Sequence, residues 1–277
     1  MMKTALLQIT SSDDPAENLE MVRSMMSDAA GMGAQFILTP EVTNCVSTSA
    51  TRQVEVLQHE ADDISLAGLR SEAAKLGVWL LIGSLAIKTQ DKDGRFANRS
   101  FLIDPQGQIV ARYDKIHMFD VQVSDAEIFR ESKNYRPGRK AVVAETEFGK
   151  IGLTICYDIR FAHLYAALAQ AGARILTVPS AFSPVTGAAH WESLLRARAI
   201  ENGCWVLAPA QTGEHPKTRG KTRHTHGHSM VVSPWGEVLI DAGTDPGIHI
   251  FNLDDSSVTE ARRRVPSLSH CRPFDGP

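Results

Sequence analysis

Cysteine is scarce in this chain. Four occur in 277 residues, at positions 45, 156, 204 and 271, and no two form a Cys-x-x-Cys pair. That argues against a disulfide framework and a zinc knuckle, and makes a reducing cytoplasm the expected compartment. Long apolar runs are absent too: nothing approaches the roughly 18 uninterrupted apolar residues of a membrane span. The opening stretch 1–8 is short, lacks a cleavage-site pattern and runs into Ser11, Ser12, Asp13 and Asp14, unlike a signal peptide. Neither sign of charge dominates. With 29 Lys and Arg against 32 Asp and Glu the net charge is −3, which speaks against a nucleic-acid or membrane-surface role. No low-complexity segment, sequence repeat or composition break marks a domain boundary, so a single domain over 1–277 is expected.

What is present suits a globular core: 43% of residues are hydrophobic, and 20 glycines raise the apolar share to about half. A short apolar strand at 5–9 is followed by Leu19, Val22, Met26 and Ala29 at helical spacing. Asp13 or Asp14 is available as the cap and Gly31 as the stop. A strand at 36–38 ends at Pro40-Glu41, a helix over 64–76 closes at Gly77, and a buried strand covers 78–82. Residues 95–115 read as a hairpin about Asp104-Pro105-Gln106-Gly107, 116–140 as loop, and 141–146 with 151–155 as two more strands. The alternation then repeats. Helix 162–171 precedes strand 175–178, helix 190–202 precedes strand 204–208, a hairpin turns at Pro234-Trp235-Gly236, and strand 248–253 leads into an Arg-rich tail. Strands joined both by hairpins and by helices imply an α/β protein with helices covering the outer faces of mixed sheets.

Three strand ends carry unusual side chains. Glu41 follows Phe36-Ile37-Leu38-Thr39-Pro40, Lys115 follows Arg112-Tyr113-Asp114, and Cys156 ends Ile151-Gly152-Leu153-Thr154-Ile155. A cysteine between a buried strand and a helix is placed to act as a nucleophile, with helix N-terminal amides lowering its pKa and binding an oxyanion. Yet a lone cysteine at a strand end is ordinarily a small core residue, and a lone Glu or Lys there is ordinarily solvated. Spacing alone leaves a thiol enzyme as one option among several.

The segments Leu38-Thr39-Pro40-Glu41, Tyr113-Asp114-Lys115-Ile116-His117 and Gly152 through Phe161, taken in this order, resemble the three signature segments of the nitrilase superfamily of carbon–nitrogen hydrolases. The resemblance covers about residues 3–255, leaving a tail of about 256–277. It implies a four-layer αββα sandwich, a homodimer, and a catalytic triad of Glu41, Lys115 and Cys156. In that triad Cys156 attacks the amide carbon. Lys115 stabilises the thiolate and the oxyanion with the backbone N–H of Tyr157, and Glu41 moves the protons. Phe129-Arg130-Glu131-Ser132 matches the segment that supplies a second, supporting glutamate, Glu131. No metal or other cofactor is implied.

Cys156-Tyr157-Asp158-Ile159-Arg160-Phe161 is similar to the Nit amidase branch, as are Pro179 through Gly187, His190-Trp191-Glu192 and Arg196 through Asn202. Two activities are known there: hydrolysis of deaminated glutathione to 2-oxoglutarate and Cys-Gly, and ω-amidase action on 2-oxoglutaramate. The segment Ala208 through His215 looks more like the first. Either substrate is a small carboxylated amide, for which the resemblance implies Arg160 as the cation, with Phe182 and Thr186 lining the same pocket. A pair with Asp158 is the alternative for Arg160, and core packing for Phe182. Ala162-His163 departs from the branch's usual Pro-Glu and so bears on specificity. Alternating His224, His226 and His228 suggest one strand face, with a structural role near the dimer or the substrate entrance ahead of a metal site. Lys217, Arg219, Lys221 and Arg223 read as a solvated basic loop, or as a device that steers anions. A Cys-His hydrolase and a non-catalytic scaffold of the same fold are the rival readings.

Overall fold

The computed structural model describes residues 1–123 and 128–276. The chain begins with β1 (Met2–Gln8), α1 (Pro15–Gly31), β2 (Phe36–Leu38), α2 (Ala50–Val56), α3 (Ile64–Leu76), β3 (Trp79–Lys88), β4 (Phe96–Ile103) and β5 (Ile109–Asp114). Two short strands follow, β6 (Asp120–Gln122) and β7 (Ile128–Arg130), then β8 (Val142–Thr146), β9 (Gly149–Leu153), α4 (Ala162–Gln170), β10 (Ile175–Thr177), α5 (Pro184–Asn202) and β11 (Trp205–Ala208). The remainder is β12 (Thr212–Glu214), β13 (His224–His226), β14 (Met230–Val232), β15 (Val238–Asp241), β16 (Gly247–Leu253), α6 (Ser256–Arg264) and α7 (Ser267–His270).

Two six-stranded sheets form the centre, in the orders β16-β1-β2-β3-β4-β5 and β8-β9-β10-β11-β14-β15. They follow one plan. In each, three parallel strands are flanked by one antiparallel strand on one side and two on the other. This correspondence between halves is invisible in the sequence, because the pairing pattern is conserved through backbone hydrogen bonds and needs no matching side chains.

Apolar side chains on both faces of each sheet create the layers. Ala5, Leu7, Ile37 and Leu80 face Val22 and Met26 of α1 and Leu66 and Leu69 of α3. The opposite face, with Leu6, Phe36, Leu38 and Leu81, packs on Leu153, Ile175 and Leu207 of the second sheet, beyond which lie Leu168 of α4 and Leu195 of α5. The result is the expected helix–sheet–sheet–helix order. No helix among the described residues is long and apolar enough to cross a membrane.

Local boundaries explain where the sequence reading departs from the structure. Asp14 is the α1 cap, accepting from Ala16 N at 2.9 Å, with Pro15 supplying the pre-set first turn. Asp13 instead accepts from the Thr218 amide and hydroxyl. Helix α5 begins at Pro184, six residues before the expected His190, because a proline at the first helical position costs no hydrogen bond. The stretch 116–140, expected as loop, carries the β6–β7 hairpin and a 3₁₀ turn at Glu131–Lys133. The Arg-rich tail is the helix α6, and α2 had no counterpart in the sequence reading.

Candidate active site

The parallel strands of both sheets deliver their carboxyl ends to one place, the usual position of a site in α/β sheets. Glu41 follows β2, Cys156 follows β9, and Ala181 follows β10; Lys115 follows β5. Gly83 in β3 runs so close beneath the β2 exit that a Cβ there would stand 2.0 Å from the Thr39 carbonyl oxygen and 2.5 Å from that of Pro40. Two residues at the exits take left-handed backbone, Val42 at φ 48° and Cys156 at φ 49°. Such conformations are strained without glycine and are held here by tertiary bonds: Ser84 Oγ accepts from Val42 N at 2.8 Å, and the Pro179 carbonyl from Cys156 N at 3.0 Å.

These exits bring Glu41, Lys115, Glu131 and Cys156 together. Lys115 Nζ lies 2.8 Å from Glu41 Oε1 and 2.9 Å from both carboxylate oxygens of Glu131. Asn98 Nδ2 donates to Glu41 Oε1 at 2.8 Å and to Glu131 Oε1 at 3.3 Å. The other Glu41 oxygen accepts from Ala181 N at 2.8 Å, and Glu131 Oε2 from Phe119 N at 2.6 Å. The Cys156 thiol lines the same cavity as these groups, where the Glu41 and Lys115 charges act on it. Lys115, Glu41 and Cys156 are 2%, 4% and 7% exposed, so these bonds operate largely out of water.

Burial and compensation set the protonation states. Burial pushes the Glu41 carboxyl up, but Lys115, the Cys156 thiol and Arg223 outweigh it and hold it below the usual carboxylate range. Burial pulls Lys115 down, yet the charges of Glu131 and Glu41 keep it well above its ordinary value. Cys156 contradicts the expectation of a lowered pKa. Burial and then the Glu41 charge push its thiol well up, opposed only in part by Lys115. The helix N-terminus invoked for it is also absent: Cys156 opens a five-residue 3₁₀ turn, and α4 starts only at Ala162. The resting arrangement is a neutral thiol, a carboxylate and an ammonium.

Behind the thiol, Asp158 is fully buried and accepts from Tyr113 Oη at 2.7 Å, His117 N at 3.0 Å and Ile155 N at 2.9 Å; His117 Nδ1 lies 2.7 Å away. Asp158 makes no pair with Arg160 among the described residues. Arg160 instead reaches His190 Nδ1 at 3.2 Å, and its guanidinium carbon lies 5.7 Å from the Phe182 ring centre. A cavity of about 520 Å³ opens over the cluster and is lined by Tyr157, Phe182, Glu131, Tyr135 and Arg223 among others. Arg160 and Thr186 are not among its lining residues, and His163 is exposed with its ring edge-on to His117. Only His224 and His226 of the three histidines share the strand β13. His228 leaves in a left-handed conformation and meets Asp241 at 2.7 Å. Among the described residues no three His, Cys, Asp or Glu side chains are grouped as metal ligands.

Sequence reasoning missed Asn98 and the Ala181 amide. Asn98 looks like any polar residue of a strand, and a backbone amide has no sequence signature. Arg223 belongs to the basic loop read as solvated or as steering anions, and of that run Lys221 and Arg223 face the cavity.

The αββα sandwich thus gathers a buried Glu–Lys–Cys cluster at its strand ends. Residues 3–263 match the carbon–nitrogen hydrolase family, and the chain belongs to that family. It is a hydrolase acting on carbon–nitrogen bonds. The chain is 39% identical over 269 residues to the deaminated glutathione amidase of Yersinia enterocolitica, covering 97% of this chain and 92% of that one. The C. elegans NitFhit protein superposes with a TM-score of 0.89 at 35% identity, over 98% of this chain and 65% of that longer chain. An amidase from Nesterenkonia sp. AN1, which shows the result of Michael addition of acrylamide at the active-site cysteine, gives a TM-score of 0.77 at 26% identity, over 96% and 98% of the two chains.

Proposed function

We propose that the protein is an amidase of small carboxylated 2-oxo amides that works through a Cys156 thioester, with deaminated glutathione as substrate. The observation that carries this reading is the Lys115 ammonium held 2.8 Å from Glu41 and 2.9 Å from Glu131, with the Cys156 thiol buried in the same cavity wall. A neutral thiol is a poor nucleophile, so Glu41 takes its proton as sulfur attacks the amide carbon. Lys115 and the Tyr157 backbone N–H receive the charge that gathers on the carbonyl oxygen. Glu41 then passes the proton to the departing nitrogen, the C–N bond breaks and the amine leaves. In the second half Glu41 takes a proton from water, the hydroxide adds to the thioester carbon, and the C–S bond breaks to release the acid as Glu41 returns that proton to the sulfur. Glu131, with two oxygens on Lys115, keeps that ammonium charged and aimed.

Phe182, in the cavity wall, completes the reading as a substrate contact, with Arg160 behind its ring; Thr186, expected beside them, lies outside the lining. The relatives named as deaminated glutathione amidases support this substrate over 2-oxoglutaramate. A cytoplasmic homodimer goes with the same reading, and Val185 and Ile200, exposed on α5, suit a covered face. The deciding experiment measures amine or ammonia release from deaminated glutathione and 2-oxoglutaramate side by side, with Cys156→Ala as the blank. Deaminated glutathione is expected to be turned over with the higher kcat/KM. Turnover by the blank equal to that of the wild type sinks the thioester route.

A further inference from the structure

One cation lining the catalytic cavity, Arg223, has so far entered only through its charge on Glu41. Arg223 is half-buried immediately before β13, and among the described residues its side chain makes one hydrogen bond, from Nη2 to the Ala181 carbonyl at 3.0 Å. Of the other cations nearby, Lys221 lines the cavity from the exposed part of the same loop. Lys115 is held between two carboxylates, Arg219 pairs with Glu55 at 3.1 Å, and Arg130 Nη1 donates to the Val121 and Phe129 carbonyls. Among the described residues Arg223 pairs with no carboxylate. A guanidinium carries five donors in a planar fork, a shape matched to a carboxylate.

Resting on the amidase reading above, we propose that Arg223 binds a carboxylate on the leaving-amine side of the substrate. The enzyme then favours amides whose amine is an amino acid or short peptide over primary amides that release ammonia. The side follows from the bonding around Ala181. That residue gives its carbonyl to Arg223 and its amide to Glu41 Oε2 at 2.8 Å, so guanidinium and carboxylate are both anchored on the backbone of one residue. Glu41 protonates the departing nitrogen, which must come within about 2.6–3.2 Å of it. Atoms beyond that nitrogen therefore extend on the side of Arg223. The loop that carries it is fixed: Thr48 Oγ1 donates to the Lys221 carbonyl at 2.9 Å and accepts from its amide at 2.8 Å, and the Arg223 carbonyl accepts from His215 N at 2.9 Å. A cavity of about 520 Å³ has room for more than ammonia as the leaving group.

The test compares kcat/KM of the full-length wild type, Arg223→Ala and Arg223→Lys on three substrates. These are deaminated glutathione, the same compound with its glycine carboxylate converted to an amide, and 2-oxoglutaramate. The wild type is expected to prefer the free acid over its amidated analogue by about tenfold or more, the worth of a charge-assisted contact. Arg223→Ala is expected to abolish that preference and to lower the ratio of deaminated glutathione to 2-oxoglutaramate by a similar factor, mainly through KM. Arg223→Lys should restore part of it. Equal loss on all three substrates, or a wild type indifferent to amidation, overturns the assignment while leaving the amidase reading intact. A wild type that hydrolyses none of them overturns both.

Discussion

The Asp158 carboxylate accepts a hydrogen bond from Tyr113 Oη at 2.7 Å, and that bond joins strand β5 of one sheet to the turn that follows β9 of the other, directly behind Cys156. Tyr113 lies in β5 two residues before Lys115, and Asp158 lies two residues after Cys156. His117, two residues past Lys115, adds its amide and ring to the same carboxylate and stacks on Phe161 with ring centres 3.5 Å apart. Asp158 thus ties together the two turns that carry the ammonium and the thiol.

Tyr113→Phe removes one donor from a fully buried carboxylate and is expected to cost about 1–3 kcal/mol. Asp158→Ala strips partners from Tyr113, His117 and the Ile155 amide together, so its loss should be larger. Both variants are positioning changes. The expected mark is a fall in kcat at nearly unchanged KM, read alongside urea midpoints. A Tyr113→Phe protein with wild-type stability and kcat shows that the bond does not hold the two turns in place.

Protonation at the site dictates an unusual pH profile. Glu41 is held below the ordinary carboxylate range and Cys156 well above the ordinary thiol range. The productive pair is therefore carboxylate plus thiol, present from mildly acidic pH upward. The kcat/KM for the preferred amide is expected to fall only as the pH drops through the lowered Glu41 value, and to show no rise near the free-cysteine value of about 8.5. Profiles from about pH 4 to about pH 10 check this. An inflection near 8.5 means instead that a preformed thiolate is the reactive species.

The strand ends are the part of this site that a sequence displays. Pro40-Glu41 and Ile155-Cys156 each close a short apolar run, so a buried strand and its exit are marked by composition alone, whereas Asp114-Lys115 ends the half-exposed strand β5. Other parts depend on long-range geometry. Asn98 serves two carboxylates only because β4 pairs with β3 and β5, and Arg223 faces the cavity only because its loop is bonded to Thr48 and His215. The apolar pattern of α5 is too diffuse to show that it starts at Pro184, and the seven residues of α2 are too few for a period. The thiol's pKa was misjudged for a related reason. Sequence places Cys156 before a helix, but the charge that reaches it comes from Glu41, 115 positions earlier.

Lys115 is the counter-charge for two carboxylates, so its removal should hurt the fold as well as the chemistry. Lys115→Met leaves Glu41 and Glu131 facing each other in a largely dry site and is expected to cost about 3–5 kcal/mol, with loss of turnover. Glu131→Gln keeps the shape and leaves Lys115 paired with Glu41, so its stability loss should be smaller, while kcat falls because the ammonium is less firmly aimed. Denaturant midpoints and steady-state kinetics on both variants check this order. Equal destabilisation by the two removes the argument that Lys115 is the shared counter-ion.

His215 couples acid stability to the loop that carries Arg223. Its ring is 3% exposed, with Nδ1 2.8 Å from the Ser11 carbonyl and Nε2 2.8 Å from Thr225 Oγ1. The neutral ring satisfies both contacts by donating to the carbonyl and accepting from the hydroxyl. Burial pushes its pKa down to about 4, from a usual value of about 6.5. Between those values the unfolded chain binds a proton that the folded protein refuses. Its stabilising contribution is therefore complete above about pH 6.5 and is lost as pH falls toward about 4, by up to about 3 kcal/mol. His215→Gln should lower stability at neutral pH and flatten the decline over this window. Matched urea titrations at several pH values read both effects. Because His215 N also donates to the Arg223 carbonyl, hydrogen exchange in the 215–226 loop should rise in the wild type over the same interval. An acid slope shared by the wild type and His215→Gln assigns the loss to other groups.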